Sequence, residues 1–327
     1  MVKRLKKTTL VAAVAGALAA GLSGGASAYV DAGSTLQVST LVITSGAIGS
    51  NFTFTLNNQA TLNGAGAPLG FATCNAISCP LFPATPTLDA AEAVLGIPAV
   101  QNVYTFIGPV TALEFSKADS IITSAEATGA PSTNTNQIAE SALQTGTDAS
   151  ASAQIQSITT LSFVFELDTG DSLGLDFFAD PNMYAAVNQP FFGLFNAQSN
   201  MNTSFTLSKD GAPGQMNWTP QGTAANDCTN TLGFGACVET FDTQDLNINV
   251  GTSTNGTIAT HSTAAGLTEF GINITSLEAG TYTLTLNAVT STQLSQFRAV
   301  PEPATLLLLG AGLAALGVGS RRRKAIG

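Results

Sequence analysis

The chain holds one histidine, one tryptophan and four cysteines in 327 residues, and it has few basic residues away from its two ends. Each shortage closes off a class of chemistry. Zinc sites need clustered Cys and His at ligand spacing, whereas His261 stands alone and neither Cys74/Cys79 nor Cys228/Cys237 is a C-x-x-C pair. A Ser-His-Asp triad would have to use His261, which sits among Thr, Ser, Ala and Gly and reads as an exposed loop; no G-x-S-x-G elbow is present. Eight of the eleven bases lie at the two ends. Between Tyr29 and Val300 only Lys117, Lys209 and Arg298 face 20 acids, a net charge of −17, against −10 for the whole chain. A body this acidic repels phosphate backbones, so no nucleic-acid partner is expected. Divalent cations, basic surfaces and neutral polysaccharide remain as partners, beside the plainer reading that acidity keeps the protein soluble. No internal repeat is present, which disfavours a solenoid or propeller.

The ends are what the basic residues mark. Lys3, Arg4, Lys6 and Lys7 precede an apolar run, Leu10 to Leu22, and an A-x-A site at Ala26-Ser27-Ala28. Residues 1–28 therefore read as a secretory signal peptide cut after Ala28, with Tyr29 as the first mature residue. Export permits disulfides. Cys74, Cys79, Cys228 and Cys237 allow three connectivities, and the short spacings favour Cys74–Cys79 and Cys228–Cys237.

At the other end stand Pro301-Glu302-Pro303, an apolar run from Ala304 to Gly319, and Arg321-Arg322-Arg323-Lys324. The run is shorter than the roughly 20 residues of a spanning helix, and the basic cluster belongs on the cytoplasmic side. From Val300 to Lys324 this resembles the PEP-CTERM sorting signal of Gram-negative bacteria. The resemblance implies processing by an exosortase, a membrane-embedded cysteine transpeptidase that cuts near Pro-Glu-Pro and removes the helix. Membrane contact would then run only through that helix before processing. The destination it implies is the cell surface or extracellular matrix, in association with exopolysaccharide, biofilm or floc. The chain divides accordingly into residues 1–28, an ectodomain over 29–298 and a sorting segment over 299–327.

Within the ectodomain the dominant pattern has period two. Strands are expected over Leu36–Ile43, Asn51–Leu56 (stopped by Asn57-Asn58) and Val103–Ile107. A hairpin is expected from Ile158–Leu167 and Ser172–Phe178 around Asp168-Thr169-Gly170-Asp171, ended by Asp180-Pro181. Short strands follow at Phe191–Phe195 and Ser204–Leu207, then at Phe241–Val250 and Phe270–Ile274. Glu278-Ala279-Gly280 turns the chain into Thr281–Val289, with Tyr282 just past a tight corner. Residues 60–100 read as loop-rich. Residues 117–156, rich in Ala, Ser, Thr, Asn and Gln, read as a mobile insertion with a short helix over Gln137–Leu143, or alternatively as a low-relief strand pair. About ten strands point to a mainly β fold, a β-sandwich of jelly-roll or Ig-like form, with one C-terminal hydrophobic helix.

No constellation demands catalysis. Asp168-Thr169-Gly170 matches one aspartic-protease loop, but a single chain needs two, and Asp242-Thr243-Gln244 lacks the glycine. Asparagine sequons occur at Asn51, Asn202, Asn217, Asn255 and Asn273 in a chain rich in Asn, Thr and Ser. Trp218 suits a core position or a sugar-stacking platform. Calcium prefers several oxygen ligands on loops; its best candidates are Asp168 with Asp171, or Asp242 with Asp245, while Asp176 and Asp180 lie too far along the strand to join them. The expectation is a non-catalytic surface or matrix protein without a required cofactor. A secreted polysaccharide hydrolase and a lectin-like carbohydrate-binding module are the alternatives, distinguished by a carboxylate pair in a groove or an exposed aromatic platform.

Overall fold

The computed structural model describes residues 29–45, 51–74, 87–98, 103–108, 114–127, 130–144, 150–168, 170–188, 193–223, 226–262 and 266–298. In chain order the strands begin with β1 (Tyr29–Ser45), β2 (Asn51–Leu62), β3 (Ala65–Gly66), β4 (Gly70–Cys74), β5 (Thr87–Leu95) and β6 (Phe115–Ala127). They continue with β7 (Ala130–Gln144), β8 (Ser150–Leu167), β9 (Leu173–Asn188), β10 (Gly193–Lys209) and β11 (Gln215–Trp218). The last are β12 (Cys228–Asn230), β13 (Ala236–Asp242), β14 (Asn249–Thr252), β15 (Thr257–Ser262), β16 (Thr268–Thr275) and β17 (Gly280–Arg298). Every pairing among the described strands is antiparallel.

The strands form two sheets, and the pairing path of neither closes into a barrel. The first runs β13-β16-β9-β1-β7-β6-β5, with β15 also on β9; the second runs β12-β11-β10-β17-β8-β2-β3, with β14 on β10 and β4 on β2. One apolar cluster joins them, drawing Val30, Leu36 and Val38 from β1, Leu173, Leu175 and Phe177 from β9, Phe163 and Phe165 from β8, and Leu284 and Leu286 from β17. These residues recur at every second position because successive strand side chains point to opposite faces.

The expected hairpin around Asp168–Asp171 is instead a crossover. β8 lies in the second sheet and β9 in the first, so Phe163, Phe165 and Leu167 look across the core towards Leu173, Leu175 and Phe177. β16 and β17 repeat the move in reverse, β16 beside β9 and β17 beside β8. The two crossovers are stitched together: Gly170 donates its N–H to the Leu277 carbonyl at 2.9 Å, and Leu277 returns one to Asp171 at 3.2 Å. The buried Tyr282 closes the second corner by donating its hydroxyl to the Glu278 carbonyl at 2.8 Å. Gly170 sits at φ 83, which a side chain tolerates poorly.

Other expectations are also corrected. Asp180-Pro181 does not end its strand; β9 runs on to Asn188, and Asn57-Asn58 lies inside β2. Of the two short strands expected at Phe191–Phe195 and Ser204–Leu207, residues 193–195 and 204–207 are parts of β10 and residues 191–192 lie outside the described residues, while the stretch expected over Phe241–Val250 splits between β13 and β14. Residues 60–100 contribute β3, β4 and β5. Val103–Ile107 forms no strand. Residues 117–156 contain no helix among the described residues; they supply β6, β7 and the start of β8, the low-relief strand reading. The cause is burial on both faces. Thr135, Gln137, Ala139 and Ser141 face the second sheet, while Ile138, Glu140 and Ala142 on the opposite face are buried too. A strand covered on both sides shows no alternation.

Candidate functional site

On the face of the first sheet away from the core, four strands bring ionisable groups together under residues 103–108. Glu140 on β7 and Tyr184 on β9 both pair with Gly33 on β1, and Lys117 on β6 pairs with Glu140. Gly33 leaves the space this needs: a Cβ there would lie 2.5 Å from the rings of both Phe106 and Tyr184. The Tyr184 hydroxyl therefore leans across β1 to within 2.7 Å of Asp31 Oδ1 and 2.9 Å of Glu140 Oε1. Phe106 packs edge-on to Tyr184, with ring centroids 4.8 Å apart.

Residues 103–108 are strapped to this row through side chains. Ile107 and Gly108 donate their backbone N–H groups to the two Glu140 oxygens at 2.9 and 2.8 Å. Val103 donates to Asp119 Oδ2 at 3.3 Å, the Tyr104 hydroxyl donates to Asp119 Oδ1 at 3.4 Å, and Lys117 Nζ donates to the Val103 carbonyl. Asp31, Asp119 and Glu140 are wholly buried.

One hydroxyl proton cannot serve two carboxylates. With both ionised, one of the Tyr184 contacts would set two lone pairs against each other, so one carboxyl carries a proton. Glu140 already accepts two backbone N–H groups and feels Lys117, all of which favour its charge. Asp31 is the better holder: burial, with Glu140 adding to it, pushes its pKa up to about 8. The chain then runs from the Asp31 carboxyl proton to the Tyr184 oxygen, and from the Tyr184 proton to Glu140. Burial also raises Glu140 and lowers Lys117.

The acidic residues near the second cysteine pair meet differently from expectation. Asp242 groups with Asp227 and Glu239, one carboxylate oxygen from each lying within 4.8 Å of the others, and not with Asp245. Asp245 accepts the Asn247 N–H at 2.7 Å. The Asp227–Glu239–Asp242 set could hold a cation in principle, but its oxygens are mostly engaged. Glu239 accepts from Trp218 Nε1 and from the Asp227 N–H, Asp227 accepts from Thr223 Oγ1, and Asp242 Oδ2 accepts from Gln221 and Gly222. Within this set only Asp242 Oδ1 is buried without a partner. Burial, with Glu239 and Asp227 adding to it, raises Asp242 to about 6. Asp168 and Asp171 satisfy their own turn, with Asp171 Oδ2 accepting the Asp168 N–H at 3.2 Å.

Cys228 and Cys237 form a disulfide with Cα atoms 6.1 Å apart, the local pairing expected. Cys74 lies on β4, and Cys79 falls outside the described residues. Trp218 is 1 % exposed and belongs to the core, so it offers no platform. His261 is on β15, paired with Met183, and not in a loop. Ala26, Ala28, Pro301, Glu302, Pro303, Arg321, Arg322 and Arg323 lie outside the described residues. Among the described residues no helix is long and apolar enough to cross a membrane.

Sequence reasoning missed Asp31, Glu140 and Tyr184 because they come from three strands, with Tyr184 153 residues from Asp31 and 44 from Glu140. The one available signal was the presence of Asp, Lys, Asp and Glu in stretches otherwise poor in charge.

No curated protein and no solved structure matches this chain. Residues 299–324, which follow directly on the end of β17, match the PEP-CTERM protein-sorting motif. The chain thus carries an exosortase-dependent sorting domain, the mark of an exported protein held at the membrane through this segment until it is processed.

Proposed function

We propose that this is a non-catalytic protein of the cell surface or extracellular matrix of a Gram-negative bacterium, released from its membrane helix by an exosortase and in contact with exopolysaccharide in biofilm or floc. The observation that carries the reading is the sorting motif at residues 299–324. The net charge of −17 between Tyr29 and Val300 and a body rich in hydroxyl and amide side chains support it. Two sheets over a shared core suit a β-sandwich, and the Tyr282 corner favours the Ig-like form over the jelly roll.

Fractionation of the host tests the reading. The protein is expected in the matrix fraction of wild-type cells and in the membrane fraction of a strain without its exosortase. A strain lacking the protein is expected to lose floc or biofilm cohesion while its enzymatic activities stay constant. Unchanged cohesion and matrix composition would count against the role.

A secreted polysaccharide hydrolase is the second reading. The Asp31–Tyr184–Glu140 arrangement favours it, since two carboxyls in different protonation states can serve as acid and base. Both are wholly buried, which favours the non-catalytic reading. Hydrolysis of soluble glucans by the purified protein, abolished in Asp31→Asn, would reverse the choice.

A further inference from the structure

Beside the buried row, the same face of the first sheet opens into a cleft of about 460 Å³ between the strands and residues 104–106. Its floor follows from register. Gln37 on β1 stands between Asn136 on β7 and Asp180 on β9, and Asn182 lies one step along β9 opposite Thr35. Tyr104 and Phe106 form part of the wall. Among the described residues, the side-chain amides of Gln37, Asn136 and Asn182 make no hydrogen bond. Three unengaged amides in one cleft are not needed to hold the fold together.

We propose that this cleft binds a neutral saccharide segment; the inference rests on the surface or matrix reading above and names the site of glycan contact. Amides on neighbouring strands stand about 4.8 Å apart, a spacing that can serve successive hydroxyls of a sugar chain, each amide both donating and accepting. The aromatic wall offers a face for the apolar C–H side of a pyranose ring. Among the described residues no Lys or Arg lines the cleft and Asp180 does, so uronate, sulfate and phosphate groups are disfavoured. A floor of amides equally disfavours an apolar ligand, which would leave them buried and unpaired. The volume falls within the ordinary range for small-ligand sites, about 300–1,000 Å³.

The test uses full-length protein in detergent on immobilised neutral glucans, mannans and galactans, with polygalacturonate as the anionic control. Retention is expected on at least one neutral polymer and not on polygalacturonate. The Gln37→Ala/Asn136→Ala double variant and Asn182→Ala should each bind roughly tenfold more weakly, the effect of losing one or two hydrogen bonds, with Tm unchanged. Retention on polygalacturonate, retention on no neutral polymer, or full retention of folded variants overturns the proposal. Fractionating host cells that express the double variant separates the two claims. Wild-type protein absent from the matrix defeats the surface reading. Wild type and variant equally retained there defeats only the cleft.

Discussion

The two ends of the core are built from different materials. Where β9, β10, β11 and β16 meet, Phe177 stacks on Phe270 with centroids 5.1 Å apart, Phe205 stacks on Trp218 at 5.0 Å, and Phe177 touches both Phe205 and Trp218. Where β2, β5, β6 and β7 meet, Leu56, Ala91 and Ile122 still reach the main core, but beside them lies a separate cluster made of alanines alone, Ala60, Ala93, Ala118 and Ala139. Hydroxyls and amides there bond from sheet to sheet. Ser141 meets Thr292 at 2.7 Å, Thr159 donates to Gln137 at 2.9 Å, and Asn58 donates to Ser120 at 3.0 Å and to the Ala91 carbonyl. Large rings supply area removed from water, about 25 cal/mol per Å². A buried hydroxyl pair nets only about 1 kcal/mol, because it replaces bonds to water. The aromatic end is expected to carry most of the stability. The polar end fixes register and keeps flat surfaces close, and it is the end that supports the strap and the saccharide cleft.

Phe177→Ala should show the largest effect that this contrast predicts. Removing a fully buried ring from a stacked cluster is expected to cost about 3–5 kcal/mol, read from denaturant unfolding. A cost under 1 kcal/mol would mean that the aromatic end is not the main support.

The shared proton beneath the strap gives an intermediate effect with a definite sign. Asp31 holds its proton in the folded state up to about 8, against an ordinary value of 3.8. Between those values the folded state binds more protons than the unfolded chain, so stability falls as pH rises, by up to about 1.4 kcal/mol per pH unit. Asp242, raised to about 6, adds to the slope only in its lower part. Glu140 from β7 shifts in the same direction, while the lowered Lys117 from β6 works in the opposite sense. Asp31→Asn keeps a donor facing the Tyr184 oxygen and removes the titration. The variant should flatten the decline in Tm between pH 6 and 8, and Ile107 and Gly108 should keep their protection from hydrogen exchange. A decline as steep as in wild type would place the proton elsewhere.

The smallest effect belongs to the sheet-to-sheet hydroxyls. Replacing Ser141 by Ala and Thr292 by Val together removes both partners while nearly conserving shape, and such double changes are close to neutral. A double variant within about 1 kcal/mol of wild type is expected. A loss comparable to that of Phe177→Ala would erase the distinction between the two ends.

The same contrast governs what could be read from the chain. Phe163, Phe165, Leu173, Leu175 and Phe177 announce their faces because large apolar residues alternate with polar ones. The alternation cannot say whether two such strands lie side by side in one sheet or face each other across two, which is why the hairpin expected around Asp168–Asp171 and the turn at Glu278–Gly280 are both crossovers. In β7 the residues facing the second sheet include Thr135, Gln137 and Ser141, types usually found in solvent, and both faces are covered. Composition there reads as an exposed insertion. Val103–Ile107 has strand-like alternation, but its backbone donors go to Asp119 and Glu140 rather than to another strand. The carboxyl–tyrosine row and the cleft depend on lateral register among β1, β7 and β9, which no local pattern encodes. The sorting segment was legible because its three parts are contiguous.

In the proposed function this chain is exported, cut at both ends and delivered outside the membrane. The intact mass of the protein recovered from the host's matrix and membranes tests it most directly. A matrix species that begins at Tyr29 and ends near Pro301 is expected, with a mass lower by the hydrogens lost in disulfide formation. A species found only in membranes and still carrying residues 304–324 would contradict it, and would make the C-terminal segment a permanent anchor.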